Sequence, residues 1–438
     1  MLIQRQALRL LQGLVIASLL QACQTTPVVN TFNCEQEVDQ RQENIACHEF
    51  QLLDNQGLVG HLAKVDSRET DTLSDLARHY GLGYNDIALA NPQLDPWLLS
   101  DDLSVLLPLQ FLLPEAPRKG IVLNLANMRL FYYPKNQRNT VMTYPVGIGR
   151  DGWNTPLGQT TVVEKRAFPA WTVPKSILRE HQELGDPLPA VIQAGPDNPL
   201  GNYAMPLGFN GYLIHGTNKP YGIGMQVSHG CVQMYPEDIE KLFNKVEVNT
   251  PVRIVHQPYL AAWDQGMLYL EAHQPLEKWA KQTVQLQKDL KKKLKQLAAE
   301  QTASVDWDKV EQILHKSDGI PMPVLSQSSG LAEIKQQALA LKHPDSLSGQ
   351  PQVAEIGDSD WSLLAASFSD AAEAQKLAAM LNHQGPPIPA RKQFKDGQFQ
   401  VIAGPFKSQK QVKSLAKRIK QNFELDAMPL APVIKVAN

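Results

Sequence analysis

The chain has no surplus of positive charge. Its 438 residues carry 42 Lys and Arg against 44 Asp and Glu, a formal net charge of −2. A protein that neutralises nucleic-acid phosphates needs a basic excess to displace counterions, so nucleic acid is excluded as the default partner. Aromatic residues are also scarce, at 7%, which leaves little for a surface that stacks bases. Long apolar runs are missing as well. Residues 10–20 are apolar but interrupted by Gln12 and Gly13, short of the ~20 residues that a membrane-spanning helix needs. Cysteine is nearly absent, with only Cys23, Cys34, Cys47 and Cys231. What is present is 43% hydrophobic residues, enough for packed cores, over a length that corresponds to about three domains.

The N-terminus reads as an export signal. Arg5 and Arg9 precede the apolar run, which ends in Leu20-Gln21-Ala22-Cys23. Leu-x-Ala-Cys resembles a bacterial lipoprotein processing site. That resemblance implies a signal peptide at 1–22, a lipidated Cys23 followed by Gln24, and attachment to the membrane through the lipid anchor. It places the protein in the periplasm, at the outer membrane. The alternative is a cleaved signal with an incidental cysteine. In an oxidising compartment Cys34 and Cys47, within the N-terminal segment 23–65, are candidates to pair. Their loop of about a dozen residues would contribute ~3 kcal/mol in the chain-entropy model. Two unpaired thiols are the alternative.

The expected fold class is multidomain: a mainly β central domain with α+β modules on either side. Residues 66–110 combine Asp71-Thr72-Leu73, a helical stretch to Tyr80-Gly81, a second one ending at Ala90-Asn91-Pro92, and Leu106-Leu107-Pro108. These motifs resemble a LysM module, a βααβ fold that binds cell-wall glycan. Residues 119–257 carry short alternating runs punctuated by Gly and Pro and read as a mostly β domain. Within it, the Pro-rich stretch 171–206 is too long for an ordinary connection and reads as a flap over a cleft. Leucines at helical spacing predict a helical linker at 271–316, and a Pro-, Ser-, Gln- and Gly-rich flexible linker follows at 317–357. Residues 358–438 predict βαββαβ order, with Asp396-Gly397 as a hairpin turn. Ala366-Ser367-Phe368-Ser369 and Val401-Ile402-Ala403-Gly404-Pro405-Phe406 make this last part similar to a SPOR domain. That similarity implies binding to peptidoglycan and enrichment at the septum; a generic ferredoxin-like module is the alternative.

The chemistry concentrates in Ile214-His215-Gly216-Thr217 and Val227-Ser228-His229-Gly230-Cys231-Val232-Gln233-Met234. A cysteine beside glycine and within reach of imidazole suits nucleophilic acyl transfer, because the imidazole accepts the thiol proton and the thiolate attacks a carbonyl. Gly230 frees the backbone to turn N–H groups toward an oxyanion. Zinc ligation by His215, His229 and Cys231 is the competing reading, without a fourth ligand at suitable spacing. His48, His79 and His383 read as ordinary.

His-Gly followed by Ser-His-Gly-Cys, with Thr155-Pro156-Leu157-Gly158 upstream, resembles the catalytic domain of L,D-transpeptidases (YkuD type). The resemblance implies a β-sandwich at 119–257, with Cys231 as nucleophile and His215 as base. Gly216 would orient the ring. The N–H groups of His229, Gly230 and Cys231 would form an oxyanion hole, in a loop shaped by Ser228. The thiol is expected to titrate below its free value of about 8.5. Where the family carries arginine two residues after the cysteine, this chain has Gln233, and Arg179 and Lys219 are candidate substitutes from flanking loops. No metal or cofactor is implied. The implied activity is cysteine acyl transfer from the third residue of a peptidoglycan stem to an amine: a second stem (3→3 cross-link) or an outer-membrane lipoprotein. Water as acceptor would make a peptidase. The opposing class is a non-catalytic wall-binding scaffold at the septum.

Overall fold

The computed structural model describes residues 48–432, apart from 184 and 186. Cys23, Cys34 and Cys47, and with them the expected lipid site and disulfide, lie outside the described residues. Among the described residues, no helix is long and apolar enough to cross a membrane.

The central domain is a sandwich. One sheet has six strands in the order Glu49–Gln51, Thr140–Pro145, Arg129–Tyr133, Gly120–Asn124, Pro251–Val255 and Gly158–Thr161. The facing sheet has four: Arg166–Ala167, Tyr203–Pro206, Leu213–His215 and Val232–Gln233. Strands 120–124, 129–133 and 140–145 are buried along their whole length, because their alternate side chains enter two different cores. Ile121, Leu123, Leu130, Tyr132, Met142 and Tyr144 fill the sandwich, together with Met205, Ile214 and Val232 from the second sheet. Val122, Phe131, Tyr133 and Val141, on the opposite face, join the core of the preceding module.

That module has β-α-α-β order: Ala63–Asp66, Leu73–His79, Tyr84–Ala90 and Ser104–Leu107, with its two strands antiparallel. Its start is three residues earlier than expected, and the segment 23–65 is not merely a lead-in. Glu49–Gln51 becomes an edge strand of the central sheet, and Leu58–Gly60 pairs with Gln110–Leu112. Arg129 locks module to sheet. It is 1% exposed, with Nη2 3.0 Å from Asp86 Oδ2 and its guanidinium 3.8 Å from the Phe111 ring centre. A buried arginine needs this pairing, since an uncompensated charge in the interior costs several kcal/mol.

The helices expected within 271–316 are present, but neither this segment nor 317–357 is a linker. Tyr259–Asp264 and Met267–Ala272 form a hairpin, and Met322–Pro323 adds a third strand. The turn residues Gln265 and Gly266 both have positive φ, which suits a tight hairpin. Thr283–Glu300 buries Leu290, Leu294 and Ala298 in the same core as Leu268 and Leu270, and Trp307–Lys316 buries Val310, Ile313 and Leu314 there. The polar composition of 317–357 conceals Ile320, Met322 and Val324, all of which enter this core. Leu339–Leu341 then pairs with Ala63–Asp66 in parallel. An apolar stripe on a helix must cover something, and here it covers the hairpin.

The C-terminal domain shows the expected βαββαβ order, with its sheet arranged as Ala390–Lys395, Gln398–Phe406, Trp361–Phe368 and Met428–Leu430. Asp396 and Gly397 take positive φ at the hairpin turn. His383 looks ordinary in the sequence, yet it is the pin of a domain seam. Its Nε2 lies 2.9 Å from Asp75 Oδ1 and 3.2 Å from Thr72 Oγ1, and its Nδ1 lies 2.7 Å from the Ala379 carbonyl. Its ring packs against Tyr221 and Trp97. Lys376 pairs with Asp95 at 2.7 Å.

Candidate active site

Cys231 and His215 meet because two strands run parallel. Leu213–His215 pairs with Val232–Gln233 so that His215 stands opposite Gln233. Ile214 and Val232 point into the sandwich core. By the alternation of strands, His215, Gln233 and Cys231 therefore face the other way, on one surface. His215 Nδ1 lies 2.6 Å from the Gly216 carbonyl oxygen. A carbonyl only accepts, so Nδ1 carries the proton and Nε2 keeps the lone pair.

The pair is electrically neutral at rest. Burial pulls His215 down to about 4, against the raising effect of the Gly216 and Leu200 carbonyls. Burial pushes the Cys231 thiol up to about 11, with the Leu213 backbone opposing. Its Sγ faces the Gly211 carbonyl at 3.7 Å. The expected thiol below 8.5 is thus corrected: a half-buried thiol without a neighbouring cation is not a standing thiolate.

The loop before Cys231 is tied by short hydroxyl bonds. Ser228 Oγ donates to the Cys231 carbonyl at 2.6 Å and accepts from the Gly230 N–H at 3.1 Å. Thr155 Oγ1 donates to the Gly230 carbonyl at 2.8 Å and accepts from the Gly149 N–H at 3.1 Å. In a trans peptide the next N–H points opposite its carbonyl, so Thr155 turns the Cys231 N–H away from itself. Gly230 has φ +102°, and a Cβ there would come within 2.8 Å of the Tyr212 ring. The N–H of Gly230 is already committed to Ser228, and that of Gly216 donates to the Tyr203 carbonyl at 3.0 Å. Of the three oxyanion donors expected, Gly230 is therefore occupied in this state.

Of the stretch 171–206, residues 171–192 form a strand–helix–strand cap, with Trp171–Thr172 paired to Val191–Ile192 around the helix Lys175–Glu183, while Tyr203–Pro206 belongs to the sandwich. Asn198, fully buried, pins its base through the Pro169 carbonyl at 2.8 Å. Glu180 on the cap helix lies 2.7 Å from His229 Nε2 and forms an ion pair with Arg150. Those contacts hold its carboxyl below the usual range, the His229 contact contributing most. The Trp153 ring stands edge-on to His229 at 4.9 Å. Arg150 and Glu180 had no sequence signal: one ends the strand Ile148–Gly149, the other lies 30 residues on. The two candidate substitutes lie on flanking elements. Arg179 is exposed on the cap helix, and the Lys219 stem lies against Gly385 of the C-terminal domain. Among the described residues, no group of three His, Cys, Asp or Glu side chains could hold a metal, so His215, His229 and Cys231 do not converge as zinc ligands.

A sandwich that presents a cysteine and a histidine on one face of a sheet has the parts needed for nucleophilic acyl chemistry. Comparison with known proteins gives the family. The YkuD family, the L,D-transpeptidase catalytic domain, matches residues 118–254, and the SPOR domain family matches residues 357–429. The chain is 44% identical over 227 residues to the probable L,D-transpeptidase YbiS of Escherichia coli K12, spanning 51% of this chain and 74% of that protein. It is 44% identical over 210 residues to the probable L,D-transpeptidase YcfS of the same organism, spanning 47% and 65%. Against the probable L,D-transpeptidase ErfK/SrfK of Salmonella typhimurium it is 37% identical over 273 residues, spanning 61% and 87%. The chain belongs to the L,D-transpeptidase family. It is a multidomain cell-wall enzyme, and its catalytic and SPOR domains both imply peptidoglycan as partner.

Proposed function

We propose that this L,D-transpeptidase works by acyl transfer through Cys231, with His215 as the base. The observation that carries the reading is the His215 ring, fixed by Gly216 so that the Nε2 lone pair belongs to the sheet face bearing Cys231. As Sγ attacks the carbonyl of the third stem residue, His215 Nε2 takes the thiol proton and the new S–C bond places negative charge on the carbonyl oxygen. The Cys231 N–H, turned by Thr155, supports that charge. Collapse breaks the C–N bond to the terminal D-alanine, whose amine leaves with the proton from His215. An acceptor amine then attacks the thioester and gives its proton to His215; the C–S bond breaks and His215 returns that proton to Sγ, which restores the thiol. Two amines suit this step: diaminopimelate of a second stem, giving a 3→3 cross-link, and the C-terminal lysine of an outer-membrane lipoprotein. Full-length protein and Cys231→Ala are incubated with purified sacculi and the muropeptides weighed. New cross-linked or lysine-linked products from the native protein alone support the reading, and equal products from both return the chain to a wall-binding scaffold.

The flanking parts complete the proposal. The 63–107 module, with its LysM-like order, holds glycan, and the C-terminal domain enriches the enzyme at the septum, so tethering raises the local concentration of stems. Cys23 carries lipid and fixes the protein at the outer membrane, since several acyl chains anchor firmly where one does not. Equal release of wild type and Cys23→Ser into the soluble periplasm would overturn the anchor.

A further inference from the structure

The missing arginine at Gln233 leaves the family's carboxylate-bearing substrate without an obvious cation, and the structure assigns one. We propose that Arg150 and His229 form the recognition site for a stem-peptide carboxylate, and that Glu180 of the cap occupies this site as an internal stand-in until substrate displaces it. The inference rests on the acyl-transfer reading for its substrate but not for its geometry.

Three observations support it. First, position: His229 is two residues before Cys231, and the Arg150 backbone N–H donates to the Ser228 carbonyl at 3.0 Å, so both groups are tied to the nucleophile's own loop. Second, chemistry: the group already lying between Arg150 and His229 is a carboxylate, with one oxygen on Arg150 Nη2 and the other 2.7 Å from His229 Nε2. A substrate carboxylate would meet the same donors. Third, the fit of Glu180 is incomplete. Elsewhere in the molecule Arg78 grips Glu237 side-on, with Nε at 2.8 Å and Nη2 at 3.0 Å, the geometry in which a guanidinium binds carboxylate best. Arg150 engages Glu180 through Nη2, while its buried Nε has no partner. Half of the fork is unused, and an unmet buried donor is unfavourable.

The cap is suited to give way. Its helix of nine residues buries Ile177 alone, so little apolar contact holds Glu180 in place. A peptide entering beneath the cap would exchange one carboxylate for another, keeping the charge balance at Arg150 and adding the second hydrogen bond. Two carboxylates on a tetrapeptide have the right chemistry: the side chain of the third residue and the C-terminus of the fourth.

The test measures binding rather than turnover, in full-length Cys231→Ala protein by calorimetry, so it does not depend on whether Cys231 performs chemistry. Three tetrapeptides are compared: unmodified, amidated on the third-residue side chain, and amidated at the C-terminus. Arg150→Gln should weaken the unmodified peptide by tenfold or more and have little effect on whichever amide lacks the recognised group, which identifies the carboxylate. Glu180→Gln should tighten the unmodified peptide several-fold, because the competing charge is gone. Arg150→Lys, which keeps the charge and loses the fork, should fall between wild type and Arg150→Gln. Equal weakening of all three peptides by Arg150→Gln, or weaker binding of the unmodified peptide after Glu180→Gln, would overturn the proposal, since a merely structural ion pair behaves that way.

Discussion

Two buried histidines in this molecule are bonded in opposite ways, and the difference fits the different roles proposed for them. His383 commits both ring nitrogens, Nδ1 to the Ala379 carbonyl and Nε2 to Asp75, and joins segments 308 residues apart. His215 is held through Nδ1 by its neighbour Gly216, with no carboxylate beside it. A pin gains from satisfying every polar atom, because an unpaired buried group costs free energy. A base must keep one lone pair uncommitted. The first pattern stabilises a seam; the second leaves a nitrogen ready to take a proton.

The sharpest way to break this comparison is to remove the proposed base. His215→Gln should lower kcat/KM on a soluble tetrapeptide by about 10² to 10⁴, the usual worth of a positioned general base, while the thermal midpoint changes little. If His215 were a structural pin, stability would fall and turnover would track only the unfolded fraction. Of comparable size is a pH effect on Cys231 itself. A thiol near 11 is protonated at neutral pH, so its alkylation by iodoacetamide in the free enzyme should rise about tenfold per pH unit from pH 6 to pH 9. A rate already level at pH 7 would mean that a thiolate stands in the resting site after all.

The unequal legibility of the two histidines has a physical cause. The His215 site was readable because its chemistry is local: Ser228, Gly230 and Cys231 lie within four residues, and hydroxyl bonds across two or three positions shape the loop. The mostly β character of 119–257 and the C-terminal βαββαβ order were likewise visible as alternation and turn signals, with Asp396-Gly397 at the C-terminal hairpin turn, whereas the sandwich itself came from the family resemblance. What stayed hidden depends on distant partners. Neither Asp75 nor Tyr221 marks His383 in the sequence, Glu180 and His229 are 49 residues apart, and Ile320, Met322 and Val324 look like linker residues until the hairpin at 259–272 covers them. Composition reports the average of a segment, whereas burial is decided by a few of its residues.

A smaller effect sharpens the picture of the nucleophile loop. Thr155→Val keeps the shape of the side chain but removes the bond to the Gly230 carbonyl and the acceptor for the Gly149 N–H. If this bond aims the Cys231 N–H, kcat should fall about tenfold with KM nearly constant, corresponding to about 1.4 kcal/mol lost in the transition state alone. Loss confined to KM would instead assign Thr155 to substrate binding.

The smallest effect on turnover is expected at the other histidine. His383→Gln leaves Asp75 bound to Thr72, whose N–H and hydroxyl both reach Asp75 Oδ2, at 3.1 and 2.7 Å, so the helix cap at Leu73 survives. Asp75→Asn weakens the cap and the seam together and should cost more. A double-mutant cycle of the two should give a coupling of about 0.5–3 kcal/mol, the range for directly bonded residues, read as faster hydrogen exchange in the helix Ala371–Asn382 and faster proteolysis between 346 and 357. Turnover on the soluble tetrapeptide should stay within about twofold, since a pin acts by holding domains rather than by moving protons. One contact makes this a real risk: Tyr221, which packs on His383, belongs to the loop that follows His215 and Gly216. A tenfold fall in kcat/KM for His383→Gln would mean that docking of the C-terminal domain sets the geometry of the base, and the two histidines would then be parts of one device.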